Sequence, residues 1–408
     1  MHNAMIYKQQ IAEVVERQMS WLQRPTNEVR RDDVEHISAL DGFAAIITGL
    51  RRCGKSTMLR QIAGRYPLSE LLFLNFEDIN LTGFVADDFK RLYAHIGQRG
   101  CSTLMFDEIQ TVEGWEIFVH QLLREGFRVY ITGSNASMLS TELGTHLTGR
   151  HLSTELFPFS YSEFLACTGA KSSTESLLHY LQKGGMPEYL RHGDPNILLT
   201  ALDDILVRDI AIRHGVRSIA PLKLLAVYLL SNTAKPFSAN RLTSVVGDVA
   251  TSTILEHIAH MRDAYLIDTV GQYSTNIRTT VRNPKKVYAI DTGLARAVSL
   301  SPTDDTGRLL ENYVFLCLRK KHRNRIFYYQ SKGECDFVVT DMTNKPQSLY
   351  QVCLRFTDEN QQRELTGLRL AMADTRLPHA TLVTLDMHDT LDIPEGRIDV
   401  VRAAEFTA

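Results

Sequence analysis

Over the first 170 residues, short unbroken apolar runs are separated by longer, mixed segments. Phe43 to Thr48 (FAAIIT), Leu71 to Phe76, Thr103 to Phe106 and Val129 to Thr132 are too short for helices and do not alternate apolar with polar. That is the pattern of strands buried on both faces. The first run ends in a glycine loop followed by the helix-compatible Met58 to Gly64, and the later gaps are long enough for crossover helices. Residues 1–170 therefore predict an α/β domain built on a parallel sheet.

Farther along, the period changes. Leu177 to about Arg217 has helical spacing, broken at Gly184-Gly185-Met186-Pro187, where Gly-Gly and Met-Pro both oppose a continuing helix. We take 171–220 as a helical junction. Residues 221–300 carry three short helical stretches, Leu222 to Ser231, Ala239 to Val246 and Thr251 to Met261, with Ser238 and Thr251-Ser252 as expected caps. They run into Ala264 to Asp268, a polar stretch and Lys286 to Ile290, and three helices followed by a ribbon is the winged-helix order. Residues 301–408 predict a further α/β domain, with a helix at Leu309 to Lys321 and strands at Ile326 to Tyr329, Cys335 to Val339 and Leu349 to Leu354.

Composition adds exclusions. With 408 residues, 44% hydrophobic and 23% charged, the chain reads as a globular protein of two or three domains. It has no apolar run long enough to cross a bilayer and no secretory pattern at its N-terminus, so a cytoplasmic protein without a membrane partner is expected. Six scattered cysteines with no CxxC pair point to neither a zinc site nor a disulfide framework. A formal net charge of −2 removes any argument for nucleic-acid binding from overall basicity, so such binding would need a local patch.

The densest chemistry lies in Gly49-Leu50-Arg51-Arg52-Cys53-Gly54-Lys55-Ser56-Thr57, between a predicted strand and a predicted helix. A glycine loop there lets backbone N–H groups and the helix N-terminus wrap phosphates. Lys55 would bridge the terminal phosphates, and Ser56 would give its hydroxyl to Mg²⁺. Downstream, Thr103 to Glu108 is an apolar strand ending in two carboxylates. Asp107 is suited to the metal shell and Glu108 to the attacking water. ATP and Mg²⁺ are the expected ligands.

With Val129 to Thr132 leading into Gly133-Ser134-Asn135, and Leu147-Thr148-Gly149-Arg150 preceding Phe157-Pro158-Phe159-Ser160, these motifs resemble the AAA-type P-loop ATPases of bacteria and archaea that carry a C-terminal domain of uncharacterised function. The resemblance implies that Ser134 or Asn135 is a polar sensor of the γ-phosphate or lytic water. It also implies a homo-oligomer in which Arg150 acts at a subunit interface; a structural arginine paired with a carboxylate is the alternative. The last region is similar to restriction-endonuclease-like (PD-(D/E)xK) domains, through Glu311 on a helix, Glu334-Cys335-Asp336 opening a strand and Gln351-Val352-Cys353 on the next. Gln351 and Cys353 stand where that superfamily has an acid and a lysine, which implies a degenerate site with no DNA cleavage. The expectation is an ATPase coupling nucleotide state to a module that binds DNA. A nucleotide-gated scaffold for another protein and an active metal-dependent nuclease are the alternatives.

Overall fold

The four apolar runs form parallel strands, β1 (Ala44–Gly49), β2 (Leu71–Asn75), β3 (Thr103–Asp107) and β4 (Arg128–Gly133), joined by β5 (His151–Leu156) in the order β2-β3-β4-β1-β5. The structure is a computed structural model and describes residues 6–24, 26–135, 149–247, 249–276, 282–299 and 305–407. β1 to β4 are buried almost throughout, as unbroken apolar runs require, whereas β5 is an edge strand of mixed residues. Helices Lys55–Ala63, Phe89–Arg99 and Trp115–Arg124 make the crossovers. An N-terminal helix, Lys8–Leu22, buries Ile11, Val14, Val15 and Met19 at helical spacing, and Met19 reaches the backbone of β2 at Phe73.

Two compact units result, one of Met1–Phe157 with Asp263–Tyr265, the other of Pro158–Arg262 with Leu266–Ala408. The second begins with helices Tyr161–Thr168, Thr174–Lys183, Pro187–His192 and Asn196–Asp204, the last continuing as a π-helix over Ile205–Ile212. The predicted turn at Gly184-Gly185 is held by tertiary contact. The buried Asp291 carboxylate accepts from Gly185 N at 2.7 Å and from Leu294 N at 2.9 Å. A Cβ on Gly185 would lie 2.2 Å from the Phe159 carbonyl oxygen, so backbone packs on backbone there.

Helices Ile219–Ser231, Ala239–Val246 and Thr251–Asp263 follow, with β6 (Pro236–Phe237) between the first two and β7 (Ile267–Gln272) and β8 (Lys285–Ala289) after the third. Ser238 stands at the N-cap of the second helix, but its side chain makes no capping bond. Helices Thr292–Val298 and Thr306–His322 lead to β9 (Ile326–Gln330), β10 (Glu334–Thr340) and β11 (Pro346–Cys353). Helix Gln361–Thr375 then precedes β12 (His379–Thr384), β13 (Asp389–Ile393) and β14 (Gly396–Arg402). All nine strands form one sheet, ordered β13-β14-β12-β11-β10-β9-β7-β8-β6. The ribbon joins the C-terminal strands because β7 pairs in parallel with β9, Gly271 opposite Phe327. Helix Thr306–His322 buries Leu310, Val314, Phe315 and Leu318 in the core of this unit.

Candidate functional site

In the first unit the phosphate loop is shaped by local geometry. A Cβ on Gly49 would sit 2.1 Å from the Leu156 carbonyl oxygen, so this glycine is required by the close approach of β5 as well as by any ligand. Gly54 is left-handed at φ 103°, which turns the chain into helix Lys55–Ala63. Leu50 and Cys53 are fully buried anchors; burial pushes the Cys53 thiol up, so it is an inert small residue. Arg31, itself buried, donates to the carbonyl oxygens of Cys53 and Phe157, each at 2.7 Å, and ties the loop to the end of the unit.

Both halves of the motif meet at the C-terminal ends of β1 and β3. Ser56 Oγ donates to Asp107 Oδ2 at 2.7 Å, and Asn75 Nδ2 donates to the same oxygen at 2.7 Å. Thr132 Oγ1 donates to Asp107 Oδ1 and accepts from Glu108 N at 3.1 Å. Lys55 is buried, its ammonium donating to the Gly49 and Leu50 carbonyl oxygens at 3.2 Å each and lying 3.8 Å from Glu108 Oε1. Burial, and then the charge of Glu108, push the Asp107 carboxyl up to about 6. Glu108 adopts φ 54°, a left-handed backbone uncommon for a glutamate, and accepts from Gln110 Nε2. A hydroxyl beside a carboxylate is an oxygen donor set that suits Mg²⁺, and the loop of N–H groups suits phosphates, so Mg²⁺ and a triphosphate fit these residues. A cavity of about 420 Å³ opens beside Ser56 and Asp107, lined also by Gln18, Trp21, Phe73 and Asp78.

Ser134 and Asn135 follow β4 and are buried. Arg150 is exposed and precedes β5; its carbonyl accepts from Ala44 N at 3.0 Å. It therefore lies at the N-terminal end of β1, about 17 Å along the strand from the phosphate loop. That is farther than an arginine side chain extends, so the loop of its own chain is out of reach. Leu147 and Thr148 of the same motif lie outside the described residues. Gln18, Arg31, Asn75 and Thr132 were not singled out in the sequence. Only Asn75 and Thr132 carried a signal, as polar residues at or near the C-terminal ends of apolar strands.

The second unit holds a separate cluster. Lys286, on β8, is only 3% exposed, and its Nζ lies 2.9 Å from Glu311 Oε1, 2.5 Å from Glu334 Oε1 and 3.1 Å from Asp336 Oδ1. Tyr288 OH donates to Glu311 Oε1 at 2.7 Å, Val352 N donates to Asp336 Oδ2 at 2.9 Å, and Gln351 Oε1 accepts from Asp336 N at 3.3 Å. Burial, and then the Asp336 charge, push Glu311 up to about 7. Gln351 also donates to Glu364, while the Cys353 thiol turns to the Arg355 carbonyl at 3.0 Å and is pushed up to about 11, chiefly by burial. Glu311, Asp336 and Gln351 are thus brought together, and the lysine among them comes from β8. Lys332, the nearby lysine in sequence, is exposed.

Strand alternation divides the two lysines of β8. Lys286 turns to the carboxylates, and only Lys285 turns to a cavity of about 210 Å³. Arg262, Arg319 and Arg323 also line that cavity, and Asp268 pairs with Arg262 at 3.2 Å and Arg319 at 2.7 Å. Arg278 lies outside the described residues, and Arg241 and Arg282 are exposed. On helix Thr251–Asp263, His257 is buried and His260 stacks on His214 at 3.8 Å, so neither imidazole is presented to solvent as a free face. Among the described residues no group of three His, Cys, Asp or Glu side chains is arranged to hold a metal ion, and no helix is long and apolar enough to cross a membrane.

Comparison with known proteins matches residues 42–165 to a family described as an AAA domain and residues 174–305 to a domain of unknown function. An uncharacterized protein of Methanocaldococcus jannaschii is 32% identical over 399 residues, covering 90% of this chain and 89% of that one. An uncharacterized protein of Haemophilus influenzae is 31% identical over 319 residues, covering 73% and 79%. Among solved structures, AMPPCP-bound DnaA from Aquifex aeolicus matches with 12% identity, a TM-score of 0.26 and coverage of 57% of this chain and 85% of that one. Cdc6p from Pyrobaculum aerophilum matches with 14% identity, a TM-score of 0.26 and coverage of 71% and 91%.

Proposed function

The chain belongs to the family of these uncharacterized archaeal and bacterial proteins and opens with an AAA-type P-loop domain, and on that premise we propose that it is an Mg²⁺-dependent ATPase. The observation that carries this reading is the 2.7 Å contact between Ser56 and Asp107, which joins the two halves of a nucleotide site at one point. Gly49 to Thr57 hold the phosphates through their backbone, and Lys55 leaves the Gly49 and Leu50 carbonyls to meet the terminal phosphates. Ser56 and Asp107 would hold Mg²⁺, which would supply positive charge against the charge that develops in phosphoryl transfer. Glu108, oriented by Thr132 and Gln110, accepts the proton of the attacking water, and Ser134 and Asn135 are the polar groups that sense the γ-phosphate. Arg150 acts on a neighbouring chain, since its own loop lies a sheet's length away, and a homo-oligomer follows.

The three helices and ribbon of the second unit serve as a winged-helix-like module, and the strands from β9 onward as a degenerate nuclease-like domain. DNA is the partner we favour, because Lys285, Arg262, Arg319 and Arg323 line one cavity around a single acid, Asp268, in a chain whose net charge is −2. Protein scaffolding and DNA cleavage have no comparable observation behind them. The reading predicts a cytoplasmic enzyme whose ATP turnover rises with single- or double-stranded DNA and falls back as salt is raised. The test is the ATPase rate with and without each DNA at a stated ionic strength. Turnover indifferent to DNA, with a protein partner that stimulates it, would replace DNA by the scaffold reading; no turnover and no ATP binding would remove the ATPase.

A further inference from the structure

We propose that Lys286 is a tethered cation that fills the carboxylate centre of the second unit in the place of a divalent metal ion. Its ammonium has three N–H donors, and three carboxylates, Glu311, Glu334 and Asp336, lie 2.5 to 3.1 Å from it. It is 3% exposed, so this is an interior cation and not a surface side chain crossing an acidic patch. The fold delivers it there by two devices. Strand alternation on β8 turns Lys286 away from the cavity that Lys285 lines. The amide of the buried Asn312 then pairs with both backbone groups of Ala289, at 2.8 and 2.9 Å, which locks β8 against the helix that carries Glu311.

Two of the three carboxylates take a further donor as well. Asp336 Oδ2 accepts from Val352 N, and Glu311 Oε1 accepts from Tyr288 OH, so a metal ion would have to displace the ammonium and compete with these donors. At contact distance from a buried ammonium, a second positive centre is strongly repelled in a low-dielectric interior. Removing the ammonium reverses the balance: Glu311, Glu334 and Asp336 would lose the cation they share, and carboxylate oxygens are the donors that Mg²⁺ and Mn²⁺ take. The ATP site proposed for the first unit uses none of these residues.

The test is Mn²⁺ binding to the full-length, nucleotide-free chain, read by electron paramagnetic resonance as free Mn²⁺ lost on titration. Wild type is expected to show no Mn²⁺ site that depends on Asp336. Lys286→Ala is expected to gain one Mn²⁺ per chain, bound at least roughly 100-fold more tightly than by wild type, and to lose it again in Lys286→Ala/Asp336→Asn. Because Lys286→Ala leaves the buried Asp336, the largely buried Glu311 and the more exposed Glu334 without their cation, a chain that folds only when Mn²⁺ or Mg²⁺ is added is the same result in another form. Lys286→Ala/Glu334→Gln, which removes one negative charge with the positive one, is the second variant, and a gain of Mn²⁺ there supports the proposal equally. A wild-type Mn²⁺ site abolished by Asp336→Asn would overturn it, and so would a folded lysine variant that gains no Mn²⁺. The wild-type titration decides the matter even where neither variant folds.

Discussion

Each unit of this protein buries a lysine among acids, and the two are held in opposite ways. Lys55 rests on two backbone carbonyls at 3.2 Å and stands 3.8 Å from the nearest carboxylate, Glu108. Lys286 is within 3.1 Å of three carboxylates. Neutral carbonyls satisfy an ammonium without neutralising it, so Lys55 keeps its charge available for an incoming phosphate at little cost on release. Three carboxylates leave Lys286 nothing to offer a ligand, and its loss would leave buried negative charges uncompensated. On the reading proposed above, the same residue type is a binding group in one unit and a structural cation in the other, and what distinguishes them is the charge of the partners, not the depth of burial.

The sharpest way to break that comparison is to remove each lysine in turn. Lys55→Ala is expected to abolish most nucleotide binding while leaving the denaturation midpoint nearly unchanged. Lys286→Ala, measured without added divalent metal, is expected to lower the free energy of unfolding by about 3–5 kcal/mol, the usual cost of breaking a buried ion pair, with unaltered ATP affinity in the folded fraction. Urea denaturation and nucleotide titration on both variants check this. Equal stability losses would mean that Lys55 is a structural cation too.

Arg150→Ala comes next, because an arginine supplied in trans is worth roughly 10³-fold or more in phosphoryl transfer. Mixing Arg150→Ala with Lys55→Ala chains should restore part of the turnover, since one partner brings an intact loop and the other an intact arginine. Mixed oligomers that stay inactive would remove the role in trans. Glu108→Gln follows, with ATP still bound and turnover slowed by about 10²–10⁴-fold, since the amide keeps the size but cannot accept a proton. Unchanged turnover would assign the water to another group.

How far each centre could be read from sequence follows from how it is assembled. The phosphate loop is one contiguous stretch between a strand and a helix, and Asp107-Glu108 closes a run of apolar residues, so period and motif located both. β5 was harder, since HLSTEL is half exposed at the sheet edge and lacks the apolar run that marked its neighbours. The Lys286 centre draws on residues from β8, helix Thr306–His322 and β10, separated by as many as 50 positions. Nothing local distinguishes Lys286 from Lys285 except strand phase, and phase is set by tertiary pairing with β6 and β7. Gln351 and Cys353 stand out only against the resemblance to a nuclease-like domain, and the cation among the acids does not stand out at all, because it arrives from a different strand.

The smallest expected effect concerns Asp107 and pH. Burial, with the charge of Glu108 second, pushes its carboxyl up to about 6 from an ordinary 3.8. A folded-state value above the unfolded one means that the contribution of Asp107 to stability is fully present below about pH 4 and is lost as pH rises through about 6. Activity runs the other way, because only the ionised carboxylate can hold Mg²⁺ with Ser56. Acidifying from pH 7 to 5 should therefore reduce kcat/KM, with a limb near pH 6, while the Asp107 share of stability grows. Asp291 and Glu311 are also raised, to about 6 and about 7, so total stability against pH cannot assign the effect. The difference in pH slope between wild type and Asp107→Asn isolates it. The second cause is open to its own check: Glu108→Gln removes a like charge, so the limb of its residual activity should move to lower pH. A limb that stays near pH 6 in Glu108→Gln would leave desolvation as the sole cause, and a wild-type limb near pH 4 would mean that Asp107 is far better solvated than its burial implies.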